Sequence, residues 1–189
     1  MMNVGLYFGS FNPVHNAHIH IGEFMHSHYP MEEIWYVLSP QNPLKEESDL
    51  LHASHRLELL ETALKGFPYM KVSTIEFDLP KPSYTYMTLR TLHEKYPKII
   101  FSIIMGNDSM KDINQWKNYS EIINNHIIYL YPRNDIELYV LSKNIIQTDA
   151  PKIFISSSQI REKIKIGESI KELVPTEVFK IIQAEKYYL

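Results

Sequence analysis

Cysteine is absent from this 189-residue chain. Disulfides and thiolate metal centres are excluded, and a cytosolic (cytoplasmic) setting is expected. Membrane-spanning runs are also missing: apolar stretches such as Ile99–Gly106 and Ile127–Tyr131 have only the length of strands. No basic-then-apolar leader opens the chain, where a strand-like run begins at once, so no targeting segment is expected there. A basic excess is lacking too. The net charge of −3 argues against a general nucleic-acid coat but leaves room for a small anion in a local pocket. Repeats, low-complexity tracts and obvious linkers are not found. What remains is 44% hydrophobic and 22% charged, the ordinary balance of a globular protein. One domain over 1–189 is expected, with a helical part at about 156–189 packed on it.

Strand patterns fall at 3–8, 33–38, 70–75, 99–105, 126–131 and 153–155, rich in Ile, Val, Tyr and Phe. The run 99–105 is nearly continuously apolar, as in a parallel strand covered on both faces. Helical periodicity lies between them. Ala17, Ile21, Phe24 and Met25 share one face, as do Leu57, Leu60 and Leu64, and then Thr85, Leu89, Leu92 and Tyr96. Pro175 and Thr176 open a last helix marked by Val178, Ile181 and Ile182. This alternation predicts an α/β fold with a doubly wound, mostly parallel sheet in three α/β/α layers. Ligands of such sheets bind beyond the carboxyl ends of the strands. Residues 39–51, with Pro40, Pro43 and Lys45-Glu46-Glu47, read as a long loop over that edge.

The run Gly9-Ser10-Phe11-Asn12-Pro13-Val14-His15-Asn16-Ala17-His18 joins the first strand to the first helix. Gly9 allows close backbone approach, Asn12 suits a turn and Pro13 directs the chain. A helix start has unpaired N–H groups and a positive dipole end, so it attracts anions, and His15 and His18 stand on that end. Two exposed histidines are the plainer reading, since five of the nine histidines lie between 15 and 28. Their spacing would also suit a metal, but no third ligand is near. Ile155-Ser156-Ser157-Ser158-Gln159-Ile160-Arg161 reads as a second strand-to-helix turn, with a serine cap and an arginine in the first helical turn. Two anion-shaped helix starts point to a polyphosphate. At Gly106-Asn107-Asp108 a strand ends on a carboxylate placed to accept from ribose hydroxyls, and Trp116 can stack on a flat ring. Ser83-Tyr84-Thr85 opens a helix whose N–H groups could hold a carboxylate or phosphate. Taken singly, each of these also reads as ordinary capping or core packing.

Together, Gly9–Pro13 with His15 and His18, and Ile155–Arg161, resemble the two signatures of the nucleotidyltransferase superfamily with paired histidines. Ser83-Tyr84-Thr85 and the Gly106, Asp108, Trp116 set are similar to the bacterial nicotinate-nucleotide adenylyltransferases within it. The resemblance implies a Rossmann-like nucleotidyltransferase fold that moves the adenylyl group of ATP to nicotinate mononucleotide in NAD biosynthesis. It implies His15, His18 and Arg161 as catalytic residues. ATP would be held by Gly9, Ser10, Phe11, Gly106, Asp108, Ile155, Ser157 and Ser158. The mononucleotide would be held by Lys45, Arg56, Tyr84, Thr85 and Trp116. Mg²⁺ would ride mainly on substrate phosphates. Two positions depart from the family: Ala17 stands where glycine is usual, with a methyl that could crowd the nucleotide, and Leu44 where histidine often precedes the loop lysine. A phosphopantetheine adenylyltransferase, a cytidylyltransferase and a non-catalytic nucleotide sensor remain alternatives, and a homo-oligomer is left open.

Overall fold

The computed structural model describes residues 1–41, 50–133 and 142–189. Its strands are β1 (Met2–Gly9), β2 (Glu33–Leu38), β3 (Met70–Ser73), β4 (Ile99–Gly106), β5 (Ile128–Tyr131) and β6 (Ile145–Gln147). Its helices are α1 (Asn16–His28), α2 (Ala53–Leu64), α3 (Thr85–Lys95), α4 (Asn107–Lys111), α5 (Tyr119–Asn125), α6 (Ser157–Lys165) and α7 (Thr176–Ala184). The sheet order is β3-β2-β1-β4-β5-β6. Every neighbouring pair is parallel, as in Tyr7 opposite Tyr36 on one side and Ile104 on the other. The order reverses between β1 and β4, so a crevice opens there beyond the carboxyl ends.

Alternation along the strands splits the core in two. Val4, Leu6, Phe101, Ile103 and Met105 face Leu89 and Leu92 of α3 and Ile122 of α5. Tyr7, Tyr36, Ile104 and Tyr129 face the opposite way, toward Ile21 and Met25 of α1, Leu59 and Leu60 of α2, and Ile160, Val178 and Ile182 of α6 and α7. Successive β-residues point to opposite faces, so a sheet apolar on both sides must be sandwiched. That is the expected three-layer α/β/α arrangement. Among the described residues no helix is long and apolar enough to cross a membrane.

The expected strand at 153–155 is not one. Ile153 and Ile155 pack against the α1-side core while Phe154 is 72% exposed. An isolated extended segment on a core reproduces the alternation of an edge strand without any ladder. The sixth strand is instead Ile145–Gln147, with Ile145 opposite Ile128. The third strand stops at Ser73, where a 3₁₀ turn over Ile75–Asp78 begins, and the fifth starts at Ile128 rather than 126. Loop residues 42–49 lie outside the described residues, and with them Leu44 and Lys45.

Gly22 shows how closely α1 sits on the sheet. The Tyr36 hydroxyl donates to the His18 carbonyl at 2.9 Å, and a Cβ on Gly22 would lie 2.1 Å from that hydroxyl oxygen. Alanine is the better helix former by about 1 kcal/mol, but overpacking costs about 1–3 kcal/mol. Gly22→Ala is therefore expected to lower the urea midpoint; an equal or higher midpoint would contradict this packing.

Candidate active site

The crevice holds a cavity of about 940 Å³, in the range of sites for whole cofactors. Its first wall is the loop after β1. Phe11 takes a left-handed backbone, φ 43°, and its ring packs so tightly over Gly9 that a Cβ there would sit 2.8 Å from it. Glycine is thus required at the strand end by the aromatic two residues on. Asn12 Oδ1 accepts from the Leu51 N–H at 3.1 Å. Gly9, Ser10, Phe11 and His18 all line the cavity.

The paired histidines have different surroundings. The two rings stack, with centroids 3.6 Å apart. His18 Nδ1 accepts from the backbone N–H of His15 at 3.2 Å, so a neutral His18 carries its proton on Nε2. Edge contacts with Phe11 and Tyr7 hold that ring in place. His15 is 2% exposed, and neither of its ring nitrogens has a hydrogen-bond partner among the described residues. Burial, and then the positive charge of Arg133, lower its pKa to about 3, so it is neutral at physiological pH. It does not line the main cavity. With Ala17 and Ile155 it borders a second, smaller one whose other wall includes His18, Tyr7, Tyr131 and Arg133. Ala17 thus borders the smaller cavity and does not line the main one.

The second wall is the start of α6. Ser156 caps the helix: its Oγ accepts from Gln159 N at 3.2 Å and its own N–H donates to Gln159 Oε1 at 3.1 Å, a reciprocal capping box. Ser157 Oγ then donates to the Pro13 carbonyl at 2.9 Å, and Arg161 Nη1 to the Asn12 carbonyl at 2.9 Å. The two signatures thus hydrogen-bond to each other directly. Ser157, Ser158 and Arg161 line the cavity, so a guanidinium, two hydroxyls and a helix start face the same space as His18.

The far side is built from β4 and α3. Asp108 accepts from the Ser109 N–H at 2.9 Å and pairs with Arg133 at 3.1 Å. A Cβ on Gly106 would fall 2.5 Å from Asp108 Oδ1, so glycine at 106 is what lets the carboxylate fold back to this edge. Tyr84 is the cap position of α3 and offers no side-chain cap; it and Thr85 line the cavity with Trp116. Lys117 sits 4.8 Å above the Tyr84 ring and ties the Trp116 segment to the start of α3. Beneath them Glu76 is 2% exposed and accepts from Thr88 Oγ1 at 2.8 Å. Burial raises its pKa, against the opposing pull of nearby Thr88, Ser39 and Ser83 hydroxyls.

Arg56 is placed otherwise than expected. It is 1% exposed, does not line the cavity, and donates to four carbonyls: Leu51 at 2.7 Å, Ser10 at 2.7 Å, Ser39 at 2.8 Å and Pro40 at 2.8 Å. It holds the loops that form the site instead of pointing into it. Lys45 falls outside the described residues. Arg133, Glu76 and Tyr131 were missed in the sequence. The one available signal was a basic residue directly after the apolar strand end Tyr131-Pro132.

Among the described residues, no three or more His, Asp or Glu side chains converge as a metal site. The depressed pKa of His15 has a consequence for stability. The unfolded chain binds the His15 proton near pH 6.5, whereas the folded chain resists it until about pH 3. Its contribution is whole above pH 6.5 and is lost as pH falls toward 3, at up to about 1.4 kcal/mol per unit. A His15→Asn variant is expected to lose less stability than wild type between pH 6.5 and 4.5. Parallel losses in urea melts would refute it.

The cytidylyltransferase-like family matches residues 6–163. A "probable nicotinate-nucleotide adenylyltransferase" of Flavobacterium johnsoniae is 43% identical, covering 99% of both chains. One so named from Cytophaga hutchinsonii is 42% identical over 99% of this chain and 98% of its own. Among solved structures, the nicotinic acid mononucleotide adenylyltransferase of Plasmodium falciparum complexed with NaAD superposes with a TM-score of 0.86. It is 20% identical and covers 100% of this chain and 98% of its own. At that identity it speaks for the fold alone.

Proposed function

The chain belongs to the cytidylyltransferase-like family, among its nicotinate-nucleotide adenylyltransferases, and from that membership and the cleft we infer that it transfers the adenylyl group of ATP to nicotinate mononucleotide, releasing pyrophosphate and forming deamido-NAD for NAD biosynthesis. The observation that carries this reading is the joining of the two signatures across one cavity. Arg161 and Ser157 reach the carbonyls of Asn12 and Pro13, while Asp108, Tyr84, Thr85 and Trp116 line the same space from the other side. One end is built for phosphates, the other for a sugar and a flat acidic ring.

The roles follow from chemistry. A phosphate oxygen of the mononucleotide attacks the α-phosphorus of ATP in line, the bond to the β-phosphate bridging oxygen breaks, and pyrophosphate leaves. The nucleophile is already an anion at neutral pH, so no general base is required. Catalysis is positioning plus stabilisation of charge. His18 Nε2–H, Arg161 and the starts of α1 and α6 surround the phosphates. Neutral His15 can donate one further hydrogen bond. Asp108 takes the ribose hydroxyls, the N–H groups at Tyr84 and Thr85 take the nicotinate carboxylate, and Trp116 stacks on the pyridine. With no carboxylate cluster to chelate it among the described residues, Mg²⁺ would be held by triphosphate oxygens and water, where it supplies charge neutralisation of the leaving group.

Pyrophosphate release tests the reading. With ATP and Mg²⁺, nicotinate mononucleotide is expected to give the highest kcat/KM, ahead of nicotinamide mononucleotide and phosphopantetheine. Preference for phosphopantetheine would overturn the substrate, and no pyrophosphate with any acceptor would make the chain a sensor. His18→Ala is expected to lower kcat by roughly a hundred-fold, as for loss of an oxyanion donor; near-normal turnover would remove His18 from the chemistry. Trp116→Ala is expected chiefly to raise KM for the mononucleotide, and an unchanged KM would take Trp116 out of the site.

A further inference from the structure

Tyr7 stands two residues before the end of β1 at Gly9, and Tyr131 ends β5; β4 lies between the two strands. Their side chains meet over β4 on its α1 side, hydroxyl to hydroxyl at 3.0 Å, with the rings edge to face at 5.8 Å. Tyr7 is 4% exposed and Tyr131 9%, and both line the main cleft and the wall it shares with the small cavity. Both rings belong to the α1-side core, yet their hydroxyl ends reach the cleft wall. Tyr131 Oη is 3.3 Å from where a Gly106 Cβ would stand, and Asp108 Oδ1 is 2.5 Å from the same point. Hydroxyl and carboxylate therefore flank Gly106 together. On the other side the Tyr7 ring meets the edge of the His18 ring at 5.9 Å. The pair bridges the phosphate end of the cleft and the ribose end.

Two hydroxyls bring two protons, and the bond between them uses one. The neighbouring Tyr36 hydroxyl donates to the His18 carbonyl and makes no hydrogen bond with either phenol of the pair. Among the described residues neither Tyr7 nor Tyr131 makes a further hydrogen bond. With Tyr7 as the donor to Tyr131, the proton left over is that of Tyr131, on the side of Asp108 and Arg133. Burial raises both phenols above their ordinary range, so both keep their protons at neutral pH. Buried polar hydrogens are found paired, and the Tyr131 hydroxyl borders the cleft, where an oxygen of an incoming ligand can accept from it.

We propose that Tyr131 is a further nucleotide-binding residue, its hydroxyl anchored by Tyr7 and donating to an oxygen of the adenylyl group between His18 and Asp108. Tyr7 is the positioning residue that holds it. This rests on the adenylyl-transfer reading of the cleft, but it concerns ATP alone and needs no second substrate.

The test is calorimetric binding of α,β-methylene ATP with Mg²⁺ to the whole chain, with thermal melts of each variant. Tyr131→Phe removes one oxygen and keeps the ring. It is expected to weaken binding about tenfold, the worth of a hydrogen bond to a charged acceptor at its lower end. Tyr7→Phe is expected to weaken it about threefold, since the Tyr131 proton survives without its anchor. Tyr129→Phe, a buried tyrosine of the same strand outside both cavities, is expected to leave the Kd unchanged. If wild type binds and Tyr131→Phe binds within twofold of it, the assignment to Tyr131 is wrong and the adenylyl reading stands. If Tyr129→Phe weakens binding as much as Tyr131→Phe, the effect is general packing and the assignment is likewise wrong. A wild type that does not bind the analogue removes the reading itself.

Discussion

One buried guanidinium holds the loops of this site together. Arg56 sits on α2, outside the sheet, and donates to carbonyls beyond the ends of both β1 and β2 and to Leu51 just before its own helix. Carbonyl groups at strand ends have lost their ladder partners, and in a dry setting each needs a donor. Arginine can satisfy four of them at once because its donors form a rigid fork. Among the described residues no acid pairs with it, and its charge is spread over carbonyl dipoles. The loop carrying Gly9, Ser10 and Phe11 is thereby fixed from below, which leaves its upper side to a ligand.

From above, the same loop is held by Ser157 and Arg161. Asn12 and Pro13 thus present their carbonyls to one helix while Arg56 of α2 and Leu51 just before it grip the loop from the other side. Hydrogen-bond donors collect at one end of the cleft, in His18, Arg161 and the start of α6. The carboxylate of Asp108, balanced by Arg133, stands at the opposite end. The two ends of one cleft therefore differ in chemistry, donors at one and an ion pair at the other.

The parts of the site that could be read in advance are local. Gly9 to His18 and Ser156 to Arg161 carry their turn, cap and helix signals within ten residues, and the fold puts both where a doubly wound sheet should. The parts that escaped are relations between distant residues. The resemblance implies a ligand contact for Arg56, and an exposed and a buried arginine have the same local pattern; only the carbonyls of Ser10, Ser39 and Pro40 decide between them. Arg133 acquires meaning from Asp108, 25 positions earlier. The false strand at 153–155 and the missed one at Ile145–Gln147 share a cause: alternation reports one-sided burial, and three residues are too few to reveal a ladder.

The bonds from Arg161 to Asn12 and from Ser157 to Pro13 join positions 149 and 144 residues apart. A chain made from its amino end exposes the phosphate loop first and the serine turn last. For nearly the whole of synthesis, the loop has strands to lie on but no second wall. The carbonyls of Asn12 and Pro13 therefore gain these two partners only once α6 has been made, long after the loop that carries them.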